Sequence, residues 1–198
     1  YVESALQQNC KITKKVGSEK ATRLLILRRA GKRSLLNVDE VLRHFHISDV
    51  LTTDDILTMS QCSIFRTIND YDEVYAVYGS ELIYPILLRK RVLIFAPISY
   101  YDSFFRHIAI IFGADVRITR QPVMLSNPCG TQRELQLAYK SVDLVVDVHN
   151  ISFDPFIDVA MKQVTRTSIQ FYTKRLTTLC RERCARGEQS PLFFGWNS

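Results

Sequence analysis

Two short stretches carry residue types suited to holding phosphate. Tyr78-Gly79-Ser80 ends a strand-like run, Glu73 to Tyr78, and precedes a helix candidate over Glu81 to Leu88. A Gly directly after a strand lets the backbone approach a ligand closely. The next helix then offers free N–H groups and the positive end of its dipole to an anion. Ser80 is placed to cap that helix and to donate to a phosphate oxygen. Arg28-Arg29 closes a second apolar run, Arg23 to Leu27. Guanidinium groups make forked contacts to phosphate oxygens, so this pair suits a diphosphate. Alone, the first stretch reads as a plain strand–helix turn and the second as surface charge. A parallel sheet would bring both to one edge, and that coincidence makes them informative.

Other groupings point less far. Asp70-Tyr71-Asp72 spells the Asp-x-Asp with which metal-dependent sugar transferases hold a nucleotide diphosphate. That motif should follow a strand and this one precedes it, so it reads as polar residues in a helix–strand turn. Asp143, Asp147 and His149 share one parity on a strand expected over Val142 to Val148. Two acids and a His suit a metal, but a structural role or exposure at a strand end is the simpler reading. His44 and His46 flank Phe45 at a helix end, where positive charge suits the dipole. Cys10, Cys62, Cys129, Cys180 and Cys184 are odd in number and lack zinc spacing; only Cys180 and Cys184 are close, and helical i, i+4 spacing disfavours a disulfide between them, so thiols are expected there. No metal site is predicted. The Gly-x-Gly-x-x-Gly fingerprint, the phosphate-binding Gly-x-x-x-x-Gly-Lys loop and the Gly-x-Ser-x-Gly elbow are all absent.

The elements that must position these residues alternate. Strands are expected over Arg23 to Leu27, Ser48 to Thr52, Glu73 to Tyr78, Arg91 to Ala96, Ala114 to Ile118 and Val142 to Val148. Between them lie helix patterns. One opens at Asn37 with Glu40 completing a capping box, one runs from Ser60 to Ile68, and one spans Tyr101 to Phe112 before Gly113. Pro85 fits only the first turn of the helix after Glu81. Residues 121–133 read as a loop and Asp154 to about Leu179 as one or two helices. The pattern predicts an α/β fold, a Rossmann-like, mostly parallel sheet with helices on both faces. Ligands then sit beyond the carboxyl ends of the strands, at Arg28-Arg29, Tyr78-Gly79-Ser80, Pro97-Ile98-Ser99 and His149-Asn150.

Composition bounds these readings. The chain has 198 residues, 46% apolar and 23% charged, which describes a core-forming chain of one ordinary domain. No run of about 18 apolar residues is present, so no membrane span is predicted. No targeting segment is visible at Tyr1-Val2-Glu3-Ser4, and an opening residue other than Met predicts a fragment or a processed chain. The net charge is +6, and nine of the Lys and Arg lie within residues 11–33. Such an excess suits an anionic partner or a solvated basic surface.

The order of these features resembles glycosyltransferase family sixty-one, which includes the EGF O-GlcNAc-transferases and plant xylosyltransferases. In that family a strand ends in Ser-Arg-Arg and is followed by Arg and an Asn-Glu-x-Glu segment. Here Arg23 to Arg29, then Arg33, then Leu36-Asn37-Val38-Asp39-Glu40 follow that order. Met59-Ser60 matches the start of a Ser-Phe-x-x-Gln helix, with Ile64 in place of the Gln. Asp72, Val74, Gly79 and Leu82 match an Ala-Asp-x-Ile-Val-Gly-x-His-Gly-Ala-Gly-Leu element. Tyr78 replaces its His, Ser80 its Ala and Glu81 its second Gly. Val92 to Pro97 and then Phe105 to Gly113 match the next strand and helix.

The similarity covers residues 20–165. It implies the C-terminal, donor-binding half of a GT-B enzyme that takes a UDP-sugar as substrate and uses no further cofactor. The implied division is a connecting segment 1–20, a nucleotide-sugar-binding domain 21–180 and a loose tail 181–198. The implied donor contacts are Arg28, Arg29, Ser60, Tyr78, Gly79, Ser80 and Glu81. The implied acceptor is a glycan or glycoprotein, and the implied compartment is the lumen of the endoplasmic reticulum or Golgi. An N-terminal partner domain would supply acceptor contacts and the general base, so no catalytic residue is assigned here. Glu81 at a helix N-terminus competes with phosphate for the same dipole, which implies weakened or altered donor binding.

A second expectation is a non-enzymatic module for protein or nucleic acid that uses the basic segment 11–33. No aromatic platform or recognition helix accompanies that charge, which disfavours nucleic acid. A nucleotide-using enzyme of another class is a third, disfavoured by the missing glycine fingerprint.

Overall fold

The computed structural model describes residues 2–12, 21–28, 33–97, 104–121, 123–125, 143–155, 178–179, 181–187 and 192–194. In chain order the elements begin with α1 (Val2–Cys10), β1 (Arg23–Leu27), α2 (Val38–His44), β2 (Asp49–Thr52) and α3 (Thr53–Thr58). Next come α4 (Gln61–Asn69), β3 (Glu73–Val77), a 3-10 turn at Ser80–Leu82, α5 (Ile83–Leu87), β4 (Arg91–Pro97) and α6 (Phe104–Phe112). The last are β5 (Val116–Gln121), β6 (Val123–Leu125), β7 (Asp143–Leu144), a 3-10 turn at Val148–Asn150, β8 (Asp154–Pro155) and β9 (Leu192–Phe194).

The main sheet has the order β2-β1-β3-β4-β5-β8. Its first five strands are parallel and β8 is antiparallel to β5. This is the expected α/β, Rossmann-like arrangement. Strand order reverses between β1 and β3, the switch point at which such sheets open a crevice beyond their carboxyl ends.

The strands are apolar throughout because both faces are covered. Leu24 and Ile26 of β1, Val74 and Ala76 of β3 and Ile94 of β4 point to one face. There they meet Ile56 of α3, Ile64 and Ile68 of α4, Ile86 of α5 and Phe105 and Ala109 of α6. Alternate residues Leu25, Tyr75, Val77, Leu93 and Phe95 point to the other face. They meet Val41 of α2 together with Leu35, Leu144, Val146 and Val148.

Charge fixes the register at the amino edge, opposite the switch-point crevice. Glu73 bonds Arg23 at 2.9 Å and Arg91 at 3.0 Å, joining the first residues of β1, β3 and β4. Arg91 and Arg117 both reach Asp115, at 3.4 and 3.3 Å. Asp72 accepts from the Thr22 N–H at 2.8 Å and hydroxyl at 3.0 Å, so the Asp-x-Asp stretch is indeed a structural turn. Beside Glu73, burial pushes the Tyr75 hydroxyl up to about 12, and the Glu73 carboxylate adds to the shift. An unfolded tyrosine ionises near 10, so the contribution of Tyr75 is complete below that pH and is lost as pH rises towards 12. Up to about 2–3 kcal/mol is at stake. Alkaline denaturation is expected to flatten in Tyr75→Phe across this window, as urea melts at stepped pH would show.

Several expectations are corrected. The strand expected over Val142 to Val148 is only Asp143–Leu144, and it is antiparallel to β6 in a second sheet of order β7-β6-β9. The chain turns at Asp147, whose carboxylate accepts the His149 and Asn150 N–H groups. Asp143, Asp147 and His149 therefore share no strand face. The loop expected over residues 121–133 contains β6. The helix expected from Asp154 instead opens with β8, and residues 156–177 lie outside the described residues. Cys184 is disulfide-bonded, so the expectation of a thiol fails there, and Cys10 and Cys62 are joined in a disulfide that their spacing does not signal.

Asn37 stands at the N-cap of α2, but its side chain makes no cap bond. Its amide accepts from the Val146 N–H at 2.9 Å and donates to the Val146 carbonyl at 2.8 Å and to Glu40 at 2.6 Å. The residue clamps the 143–148 segment onto the sheet. Asn37→Ala strands both Val146 backbone groups and is expected to cost about 2–3 kcal/mol in chemical denaturation.

Candidate functional site

Because β1 and β3 are neighbours, the residues that leave them meet at the carboxyl edge. Arg28 follows β1, and its Nη1 lies 3.4 Å from Glu81 Oε2, in the first turn after β3. The two side chains are only 12% and 8% exposed, so their attraction is weakly screened. Thr53, at the start of α3, donates to the Leu27 carbonyl at 3.1 Å and lies 3.4 Å from Glu81 Oε1. The β1 exit, the β2–α3 junction and the β3 exit therefore converge on Glu81.

Gly79 makes room for this pair. Its φ of −172° is extended backbone open to any residue, so the requirement is space. A Cβ there would collide with Arg28 Nη1 and come within 2.5 Å of Glu81 Oε2 and 2.9 Å of Arg28 Cζ. The space beside Gly79 is taken by the chain's own guanidinium and carboxylate.

Tyr78 is buried, its ring edge-on to Phe105 with centroids 5.5 Å apart. The guanidinium of Arg33 stands over the same ring, 6.0 Å from its centroid. Arg28 and Arg33 thus contact consecutive residues of the β3 exit. A site so built presents two forked cations and one carboxylate at the mouth of a parallel sheet.

The remaining predicted residues separate. Gly79, not Ser80, occupies the N-cap of the 3-10 turn, and Ser80 is exposed on it. Ser60 caps α4, accepting from the Ser63 N–H and lying 2.8 Å from the Ser63 hydroxyl. Arg29, Ile98 and Ser99 lie outside the described residues. His149 sits on the 3-10 turn, 4.0 Å from Glu40 and with its ring 6.2 Å from that of His44. Among the described residues no group of three His, Cys, Asp or Glu is arranged to hold a metal ion.

The sequence does not mark Thr53 or Arg33 as phosphate-binding residues. Thr53 had a local signal: Thr52-x-x-Asp55 is a capping pattern, and Thr52 and Asp55 form a capping box that starts α3 at the sheet edge. Arg33 had one only as the Arg after the paired arginines. Among the described residues no helix is long and apolar enough to cross a membrane. Compared with known proteins, the chain matches no family model and no curated protein.

Proposed function

We propose that this chain is the donor-binding domain of a sugar transferase. It would hold a nucleotide diphosphate sugar, with UDP as the nucleotide, for transfer to a glycan or glycoprotein. The observation that carries the reading is the meeting of Arg28 and Arg33 on Tyr78-Gly79 at the strand-order switch point. Two guanidinium groups there suit the diphosphate, and in such sheets ligands sit beyond the carboxyl ends of the strands. The donor is a substrate, and the reading calls for no further cofactor. A separate N-terminal domain would bring the acceptor and the general base. The Cys10–Cys62 disulfide favours the oxidising lumen of the endoplasmic reticulum or Golgi as the compartment.

Calorimetric titration with UDP tests the reading. Uptake by the wild type is expected, with loss in Arg33→Ala; equal uptake by both, or none by either, would overturn it.

One observation favours a second reading. Arg28 is already paired with Glu81, as it would be in a fold kept as a non-enzymatic binding module. Such a module would bind its protein or nucleic-acid partner through the basic segment 11–33. Steeply salt-dependent binding of single-stranded nucleic acid, undisturbed by UDP, would support it.

A further inference from the structure

We propose that Glu81 is a built-in occupant of the anion seat of Arg28, and that a ligand phosphate binds there only by displacing it. The proposal rests on the reading of this edge as a phosphate site. Glu81 is buried and reaches Arg28 from the first turn after β3, the position from which a bound phosphate would be held. Its contact is a poor one for opposite charges. Charge-assisted N–H to carboxylate bonds close to about 2.7–2.9 Å and are often forked. Here the Nη1 to Oε2 distance is 3.4 Å, and the Thr53 hydroxyl lies 3.4 Å from the other oxygen.

Gly79 explains why the pair sits where it does. Any side chain at this position would force the guanidinium and the carboxylate to shift. The absence of a side chain at Gly79 therefore leaves room for a cation and an anion side by side. The chain's own carboxylate supplies the anion. A carboxylate carries one charge and a diphosphate carries more, so a diphosphate competes for Arg28 where a singly charged anion does not.

Glu81→Gln keeps the shape and removes the charge. Inorganic pyrophosphate is the probe, titrated by calorimetry into the folded wild type and variant. The variant is expected to bind it about tenfold more tightly, or better. The gain should vanish in Arg28→Ala/Glu81→Gln. Equal affinity of wild type and Glu81→Gln, or a gain that survives without Arg28, overturns the proposal. Should Glu81→Gln not fold, Thr53→Val removes the hydroxyl beside Glu81. A smaller gain is expected there, and no gain overturns the proposal equally.

UDP separates this inference from the reading beneath it. If Glu81→Gln gains pyrophosphate affinity but binds UDP no better than pyrophosphate, the occupied seat stands and the nucleotide reading falls.

Discussion

Replacing Cys10 and Cys62 together with alanine is expected to lower the unfolding free energy by about 4 kcal/mol, measured by guanidinium chloride denaturation. The two cysteines are 52 residues apart. Cross-linking a loop of that length removes denatured-chain entropy equivalent to about 4 kcal/mol in the loop-closure treatment. A domain of ordinary size has only about 5–15 kcal/mol in total, so the bond weighs heavily. Its structural effect is local. It ties the last residue of α1 to the first turn of α4, over a small cluster of Ile12, Phe65, Leu6, Tyr84 and Leu88. Beyond that cluster, Arg66 bonds the Cys10 carbonyl at 2.8 Å. A fall of less than about 1 kcal/mol would mean that the reduced chain keeps α1 docked by packing alone. The same experiment bears on compartment, because a domain that loses this much on reduction folds best where thiols are oxidised.

The sheet was legible wherever burial on both faces writes a continuous apolar run. Arg23–Leu27, Glu73–Val77 and Arg91–Pro97 were found within about one residue for that reason. The second sheet was not legible. Its strands are two or three residues long and carry no period, and β6 finds its partners at Asp143–Leu144 and Leu192–Phe194. The Cys10–Cys62 bond has no spacing signal either, since only the docking of α1 on α4 brings the thiols together.

The site was legible in part. Arg28 and Gly79 were singled out separately, and parallel topology does bring them to one edge. From its position alone, Glu81 is a rival to phosphate for a helix dipole. The physical rival is more direct, a carboxylate on the guanidinium itself. That pairing joins residues from two different strand exits, so it depends on strand order, which no local pattern encodes. Asn37 shows the same limit. Its place at a helix start was clear, but its amide serves a distant backbone that the sequence does not mark as near.

Arg28→Ala is expected to destabilise the fold by about 3–5 kcal/mol, because it leaves the buried Glu81 carboxylate without its paired cation. Its loss should be felt mainly through the orphaned acid, since the Thr53 hydroxyl beside that carboxylate is neutral and donates to the Leu27 carbonyl. Removing both charges should therefore restore much of the loss. Arg28→Met/Glu81→Leu is expected to lie closer to the wild type than Arg28→Ala does, as buried pairs exchanged for apolar groups of like size often do. Glu81→Gln should be milder than Arg28→Ala for a related reason, since Arg28 is held by further contacts as well. Urea melts of the wild type, Arg28→Ala, Glu81→Gln and Arg28→Ala/Glu81→Gln form a cycle whose coupling isolates the pair. High salt should change the result little, because the side chains are largely shielded from solvent. A loss below about 1 kcal/mol in Arg28→Ala would place the pair with surface ion pairs, and Glu81 would then have to reach solvent in the absence of its partner.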